Sequence, residues 1–455
     1  MITKILHRSV VFSMLAAVWI TAACSHVDLD FTISSESGRT ENETDRVPNK
    51  EFRNVFIVYS MGFNNLTRYL SEDVEDLIAS PLMSNPRDVL LIFSHRAEWP
   101  TGDRYPAYGK PTSPTLTRIS KDDTGMPIRD TLLVLPDTLS SADAGTLNKI
   151  LTYVNENFDA DGYGMLMSSH GTGWVPEDYC NHPYNYDEES SSGIWRVQTG
   201  RHVIPKPFDN PYLRQDGSPA VKSIGVQNIT TSKVKEMNIT DIVKAIPMKL
   251  DFIIFDACFM GGIEVAYQFR DICDKMVFSQ TEILADGMDY TTMLSYVFKG
   301  MAADLVGFCD NYYEFYDKRN GDYRSATISL IDCTRLEPLA DICRLIFTEH
   351  RDKIAELEGN RTIQRYYRNQ YAEYHQWFFD LYDIATRCGA SSAQISALDN
   401  ALNGCIIYKA ATPSVLGIPI KVHSGLSMYL PYKNRTYLNT FYKSLDWNIS
   451  TGLVQ

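Results

Sequence analysis

Short apolar runs alternate along the chain with stretches whose apolar residues recur at helical spacing. The runs predict buried strands at Arg53–Met61, Asp88–Ser94, Tyr163–Ser169, Leu250–Phe255, Lys275–Gln280 and Ala326–Ile331. The periodic stretches predict helices over Asn64–Ile78, Ser141–Phe158, Asn238–Ala245, Ile263–Ile272, Arg335–Glu358, Arg361–Cys388 and Ser392–Tyr408. Ser140 or Ser141 is the expected N-cap of the second. Thr115–Ile119 and Thr131–Leu135 suit a hairpin turned near Thr124-Gly125, and Ser427–Leu430 reads as a late strand. The aromatic stripe from Tyr366 through Trp377 to Phe378 is expected to pack a helix into the core. Strands alternating with helices imply βαβ units and a mainly parallel sheet flanked by helices, an α/β fold.

Two strand ends carry reactive side chains. Leu250–Phe255 runs into Asp256-Ala257-Cys258, after which Gly261 and Gly262 allow a tight turn into a helix. A cysteine between a strand end and a helix start lies near backbone N–H donors, which favour its thiolate. Tyr163–Ser169 runs into His170-Gly171-Thr172-Gly173. In an open α/β sheet, active sites collect at the carboxyl ends of the strands. His170 and Cys258 stand 88 residues apart in sequence, so only the fold can join them as a Cys–His dyad.

The 455 residues carry a net charge of −13, which argues against a nucleic-acid partner because that needs a basic footprint. Lys4, His7 and Arg8 precede the apolar run Val10–Ala23, which ends at Cys24. This is similar to a bacterial lipoprotein signal, although Thr21 stands where Leu is usual. The expectation is export to the bacterial cell envelope with a membrane anchor through lipid on Cys24; plain secretion with cleavage near Ala23 is the other reading. Residues 25–50 are polar and acidic, as expected of a tether. The nine cysteines form no CxxC pairs, which speaks against a disulfide framework or a zinc site. Cys180 with His182 supplies too few ligands for a metal. Val175–Lys222 is a long insertion, dense in Pro, Asp, Asn, Ser and Gly.

At these residues the chain resembles the clostripain-type cysteine peptidases of the caspase-like group. The likeness runs in order through VFIVYSMGFNNL, SSHGTGW, FDACFMGGIEVAYQF, SQTEILADGMDY, FFDLYDIA and SGLSMYLPY, from about Arg53 to Tyr432. It implies a caspase-like core over 51–305, with the insertion at 175–222, and a C-terminal α+β extension over 306–455 that completes the sheet. It implies a cysteine endopeptidase acting on proteins or peptides with Arg or Lys at P1. Cys258 matches the nucleophile and His170 the general base and acid, with the N–H groups of Gly171 and Cys258 as the oxyanion hole. Asp256 matches the P1-binding acid and Asp286 is a second candidate. The likeness further implies self-cleavage between the His and Cys motifs, where Arg196, Arg201, Lys206, Arg214 and Lys222 are available. No cofactor is required; some relatives use calcium, for which Asp178, Asp187, Glu188 and Glu189 are at hand. Phe259 and Gly262 depart from the residues that relatives often have there. The competing class is a caspase-like surface lipoprotein that binds protein or peptide without turnover; hydrolysis of a non-peptide acyl or amide bond is a third.

Overall fold

The computed structural model describes residues 52–64, 66–81, 85–98, 111–179, 186, 235–300, 302–367 and 376–455. Cys24, the 25–50 segment, Cys180, His182 and the basic residues named in the insertion lie outside these residues.

The apolar runs form β1 (Phe52–Gly62), β2 (Asp88–Arg96), β5 (Ala160–Ser168), β6 (Leu250–Asp256), β7 (Cys273–Phe278) and β8 (Thr327–Asp332). The hairpin forms β3 (Thr115–Lys121) and β4 (Pro127–Val134). Together with β10 (Ile406–Ala411), these described strands make a nine-stranded sheet in the order β10-β8-β7-β6-β5-β1-β2-β3-β4. The five central strands, β7 to β2, run parallel. Each side is finished by antiparallel strands, β8 and β10 on one and β3 and β4 on the other. The central strands are buried on both faces, which is why they read as unbroken apolar runs rather than as alternating ones.

The described helices are α1 (Thr67–Ala79), α2 (Ala144–Asn157), α3 (Ile239–Ala245), α4 (Ile263–Phe269), α5 (Tyr290–Val297), α6 (Leu305–Asp317), α7 (Glu337–Glu349), α8 (Arg351–Glu356), α9 (Leu381–Arg387), α10 (Ser392–Cys405), α11 (Thr436–Lys443) and α12 (Asp446–Thr451). From β1 the chain crosses one way to β2 and the other way to β5, β6 and β7. Right-handed crossovers therefore put α1 on one face of the sheet and α2, α3 and α4 on the opposite face. The packing agrees: α1 touches α5, which touches α6, while α2 touches α3 and α3 touches α4. The reversal of direction between β1 and β5 is the switch point where an open sheet leaves a crevice at its carboxyl edge.

Four expectations are corrected. The N-cap of α2 is Asp143, whose side chain accepts the Thr146 N–H at 3.1 Å. Ser141 is instead buried, its carbonyl accepting the Tyr59 hydroxyl and its Oγ meeting His95 Nδ1 at 3.0 Å. Arg361–Cys388 is not one helix: the Tyr366 N–H bonds the Phe378 carbonyl and the Asp380 N–H bonds that of Gln364, so the chain doubles back on itself before α9. The helix expected over Arg335–Glu358 starts at Glu337 and breaks at His350 between α7 and α8. The helix from Ser392 stops at Cys405, and Ile406–Ala411 becomes the edge strand β10. There Gly404 stands in the last turn and the β-branched pair Ile406-Ile407 follows it, which together mark the change to strand.

Candidate active site

β5 and β6 are neighbours, and their last register pair sets Ser168 beside Asp256. His170 and Cys258 each stand two residues beyond that pair, so they leave adjacent strands side by side. Parallel neighbours lie about 4.8 Å apart. The two loops press together closely: a Cβ on Gly171 would meet the Cys258 carbonyl oxygen at 2.4 Å and the Cys258 nitrogen at 3.0 Å. Only glycine allows that approach. His170 and Gly171 line a crevice with Met61 at the end of β1, with Asn64 just beyond it, and with Met260. The crevice thus sits at the switch point.

The loop from Ala257 to Gly262 is held rigidly. Its Phe259 and Gly261 N–H groups bond the carbonyls of Thr281 and Ser279 at 3.1 and 2.7 Å. Gly261 lies so close to the end of β7 that a Cβ would sit 2.7 Å from the Gln280 nitrogen. The left-handed turn residue is neither Gly261 nor Gly262 but Phe259, at φ 61°. That conformation costs roughly 1 kcal/mol for a residue with a side chain, and the Phe259 ring is fixed by stacking on Phe378 with centroids 4.6 Å apart. Cys258 is fully buried, and its sulfur accepts the Ile283 N–H at 3.1 Å. The donor comes from the segment after β7, not from the start of α4.

Asp256 is wholly buried at the end of β6, and its Oδ2 accepts the Ser168 hydroxyl at 3.0 Å and the Tyr290 hydroxyl at 2.7 Å. Burial first, and the Asp256 charge next, push the Tyr290 hydroxyl well above its ordinary pKa. Asp286 is exposed and pairs with Arg319 Nη1 at 2.6 Å. The structure therefore brings His170, Gly171, Cys258 and Asp256 to one strand edge, and carries Asp286 on the segment whose Ile283 touches the sulfur.

The clostripain family description matches residues 58–200 and 212–451 of this chain. The chain belongs to the clostripain family. Clostripain of Hathewaya histolytica is 24% identical over 349 residues, which are 66% of this chain and 59% of that protein. The chain thus spans well under two thirds of the length of that relative. The inactive zymogen C11 protease from Parabacteroides distasonis has a similar structure, with TM-score 0.67 and 26% identity over 89% of this chain and 99% of that one. The secreted C11 cysteine protease from Bacteroides thetaiotaomicron, in complex with an irreversible peptide inhibitor, shares the fold at TM-score 0.64 and 21% identity, over 88% and 99% of the two chains.

Within this clostripain-family fold, three contributions to the site went unread in the sequence, although the late strand itself was expected. Ile283 supplies the N–H at the sulfur. The late strand β13 (Ser427–Met428), which pairs with β9 (Phe379–Asp380) after the short β11 (Ser414–Val415) and β12 (Ile418–Pro419), braces the cysteine loop, as the Ser427 N–H bonds the Gly261 carbonyl at 2.9 Å. Glu264, buried in α4, accepts the Tyr429 N–H at 2.7 Å and the Tyr442 hydroxyl at 2.8 Å. Contacts across more than 160 residues of sequence leave no local pattern to read. For calcium the candidate ligands are Asp178, Asp187, Glu188 and Glu189. Among the described residues no three acidic, His or Cys side chains gather as a metal site, and the Asp178 carboxylate accepts the Tyr186 hydroxyl at 2.9 Å. Asp187, Glu188 and Glu189 lie outside the described residues, and no step is derived through the ion. No described helix is long and apolar enough to cross a membrane.

Proposed function

We propose that the protein is a cysteine endopeptidase that cleaves after Arg or Lys. The observation that carries this reading is the adjacency of His170 and Cys258 at the ends of β5 and β6, with the Gly171 backbone against that of Cys258. In the proposed reaction the Cys258 sulfur attacks the scissile carbonyl carbon, forming a C–S bond. The carbonyl oxygen takes up the negative charge beside the Gly171 and Cys258 N–H groups, each such donor worth about 3 kcal/mol. His170 gives its proton to the leaving amine as the C–N bond breaks. It then takes a proton from water, whose oxygen displaces the thiolate and releases the acid. Asp256, which accepts the Ser168 and Tyr290 hydroxyls, is the carboxylate proposed to receive a basic P1 side chain.

The burial of Cys258 favours a latent form that must open before it turns over. Lys235, Glu236 and Met237, which follow the insertion on the way to β6, line the same crevice as His170. This supports self-cleavage of that segment, with Lys235 joining the basic residues already named. The same burial also supports the second reading, a surface protein that binds peptides without turnover. We further propose export with a lipid on Cys24; intact mass of the membrane fraction decides it, and a mature protein without lipid mass overturns it.

The test is turnover of fluorogenic peptides with Arg, Lys, Leu or Asp at P1 by protein lacking residues 1–24, before and after nicking with trypsin, with and without calcium. Cleavage after Arg and Lys that is lost in Cys258→Ala and His170→Ala is the expected result. Silence in every arm overturns the peptidase reading in favour of binding.

A further inference from the structure

Helix α6 lays three residues along one face at helical spacing, Tyr312, Tyr316 and, just past its end, Arg319. Tyr316 donates its hydroxyl to the Gly287 carbonyl at 2.5 Å, tying this face to the segment that carries Asp286. The Arg319 guanidinium lies over the rings of Phe315 and Tyr316, 4.3 and 4.8 Å from their centroids, and pairs with Asp286. Tyr312 is buried, and among the described residues nothing lies within hydrogen-bond distance of its hydroxyl. Burial first, and then the charges of Asp256 and Cys258, push that hydroxyl well above its ordinary pKa, while Arg319 opposes them. The segment that bears Asp286 gives its Ile283 N–H to the Cys258 sulfur at one end and the Tyr290 hydroxyl to Asp256 at the other, so the Arg319–Asp286 pair sits on the stretch of chain that joins the nucleophile to the buried acid.

We infer that Arg319 is a specificity-determining residue, an internal cation that holds the Asp286 carboxylate against the basic side chain of a substrate. This rests on the reading of the crevice as a site for a basic P1 group. Arg319 and an incoming Arg or Lys have the same chemistry and compete for the Asp286 oxygens. The aromatic rings hold the guanidinium ready, so it need not be ordered anew each time substrate leaves.

The test removes the charge and keeps the stem that packs on the rings, in Arg319→Met. Steady-state kinetics with Arg, Lys and Leu at P1 are paired with calorimetric binding of a peptidyl argininamide and a peptidyl norleucinamide to Cys258→Ala, with and without Arg319→Met. The expected result is about a tenfold fall in KM and in Kd for basic peptides, equivalent to about 1.4 kcal/mol. kcat should hold within about twofold and the Leu and norleucine peptides should not respond. Arg319→Lys, which keeps the charge, should stay near the parent and serves if the Met variant does not fold. Basic peptides that bind as before, or more weakly, in Arg319→Met overturn the inference while leaving the peptidase reading intact. Failure of the parent to bind or cleave any basic peptide overturns both.

Discussion

Replacing Glu264 by Gln should flatten the dependence of stability on pH above about pH 5. Glu264 is fully buried, and burial pushes its carboxyl up to about 7, against the hydrogen bonds from the Tyr429 N–H and the Tyr442 hydroxyl that pull it down. The rings around it are packed, with Trp174 4.7 Å from Tyr429 and 4.9 Å from Tyr442. In the unfolded chain the carboxyl titrates near its ordinary value of 4.5. The folded protein therefore holds a proton that the unfolded chain has lost throughout that interval. The stability this provides is complete below about pH 4.5 and fades as pH rises through about 7. One pKa unit is worth about 1.4 kcal/mol, so the fading amounts to about 2 to 3 kcal/mol between pH 5 and 8. Gln keeps the acceptor oxygen and the shape but cannot titrate. Guanidinium unfolding of parent and variant at pH 5, 6, 7 and 8 measures the difference between the two curves. Groups that titrate alike in both cancel in that comparison. Parallel curves, with a constant offset across the range, would refute the reasoning.

Three further outcomes follow from the same structure. Gly171→Ala should lower kcat/KM about 100-fold or more with an unchanged circular dichroism spectrum, because its Cβ would meet the Cys258 backbone at 2.4 Å; full activity would mean that the two loops are looser than they stand. His95, buried and bonded to Ser141 Oγ, is pushed down to about 4 by burial, so its stabilising share is present above about pH 6.5 and is lost as pH falls through about 4; His95→Gln should remove up to about 3 kcal/mol of that acid slope in denaturant titrations at pH 4 to 7. Ser391→Ala deletes a capping box in which Ser391 and Gln394 serve each other's N–H, and should cost about 1 kcal/mol in the same titration, with no change in KM.

The parts of the fold legible in the sequence are those whose signal is local. A strand buried on both faces must be apolar throughout, so β1, β2, β5, β6, β7 and β8 announced themselves, and with them the edge that bears His170 and Cys258. Aromatic residues at helical spacing misled the reading of Arg361–Cys388, because Tyr366, Trp377 and Phe378 are buried by tertiary contacts in a doubled-back segment. Tyr366 gives its hydroxyl to Asp380 at 2.7 Å, and the same Asp380 caps α9. The turn after Cys258 was legible as a turn, but not its conformation. Nothing local forecasts φ 61° at Phe259 when two glycines follow it; the stacked partner Phe378 is more than 100 residues away. The Ile283 donor was hidden for the same reason.

The connection between β5 and β6 leaves and re-enters at the middle of the sheet, yet those two strands pair over Gly164–Ser168 and Phe252–Asp256. A cut in that connection beyond His170 would leave His170 and Cys258 on different polypeptides. The seam between them would be two paired strands buried in the sheet, so the pieces would part only by unfolding. The architecture is thus a natural two-part reporter: co-expressed halves should bring His170 and Cys258 together only where they meet, and on the proposed reading any activity would count assembled seams rather than molecules of either half.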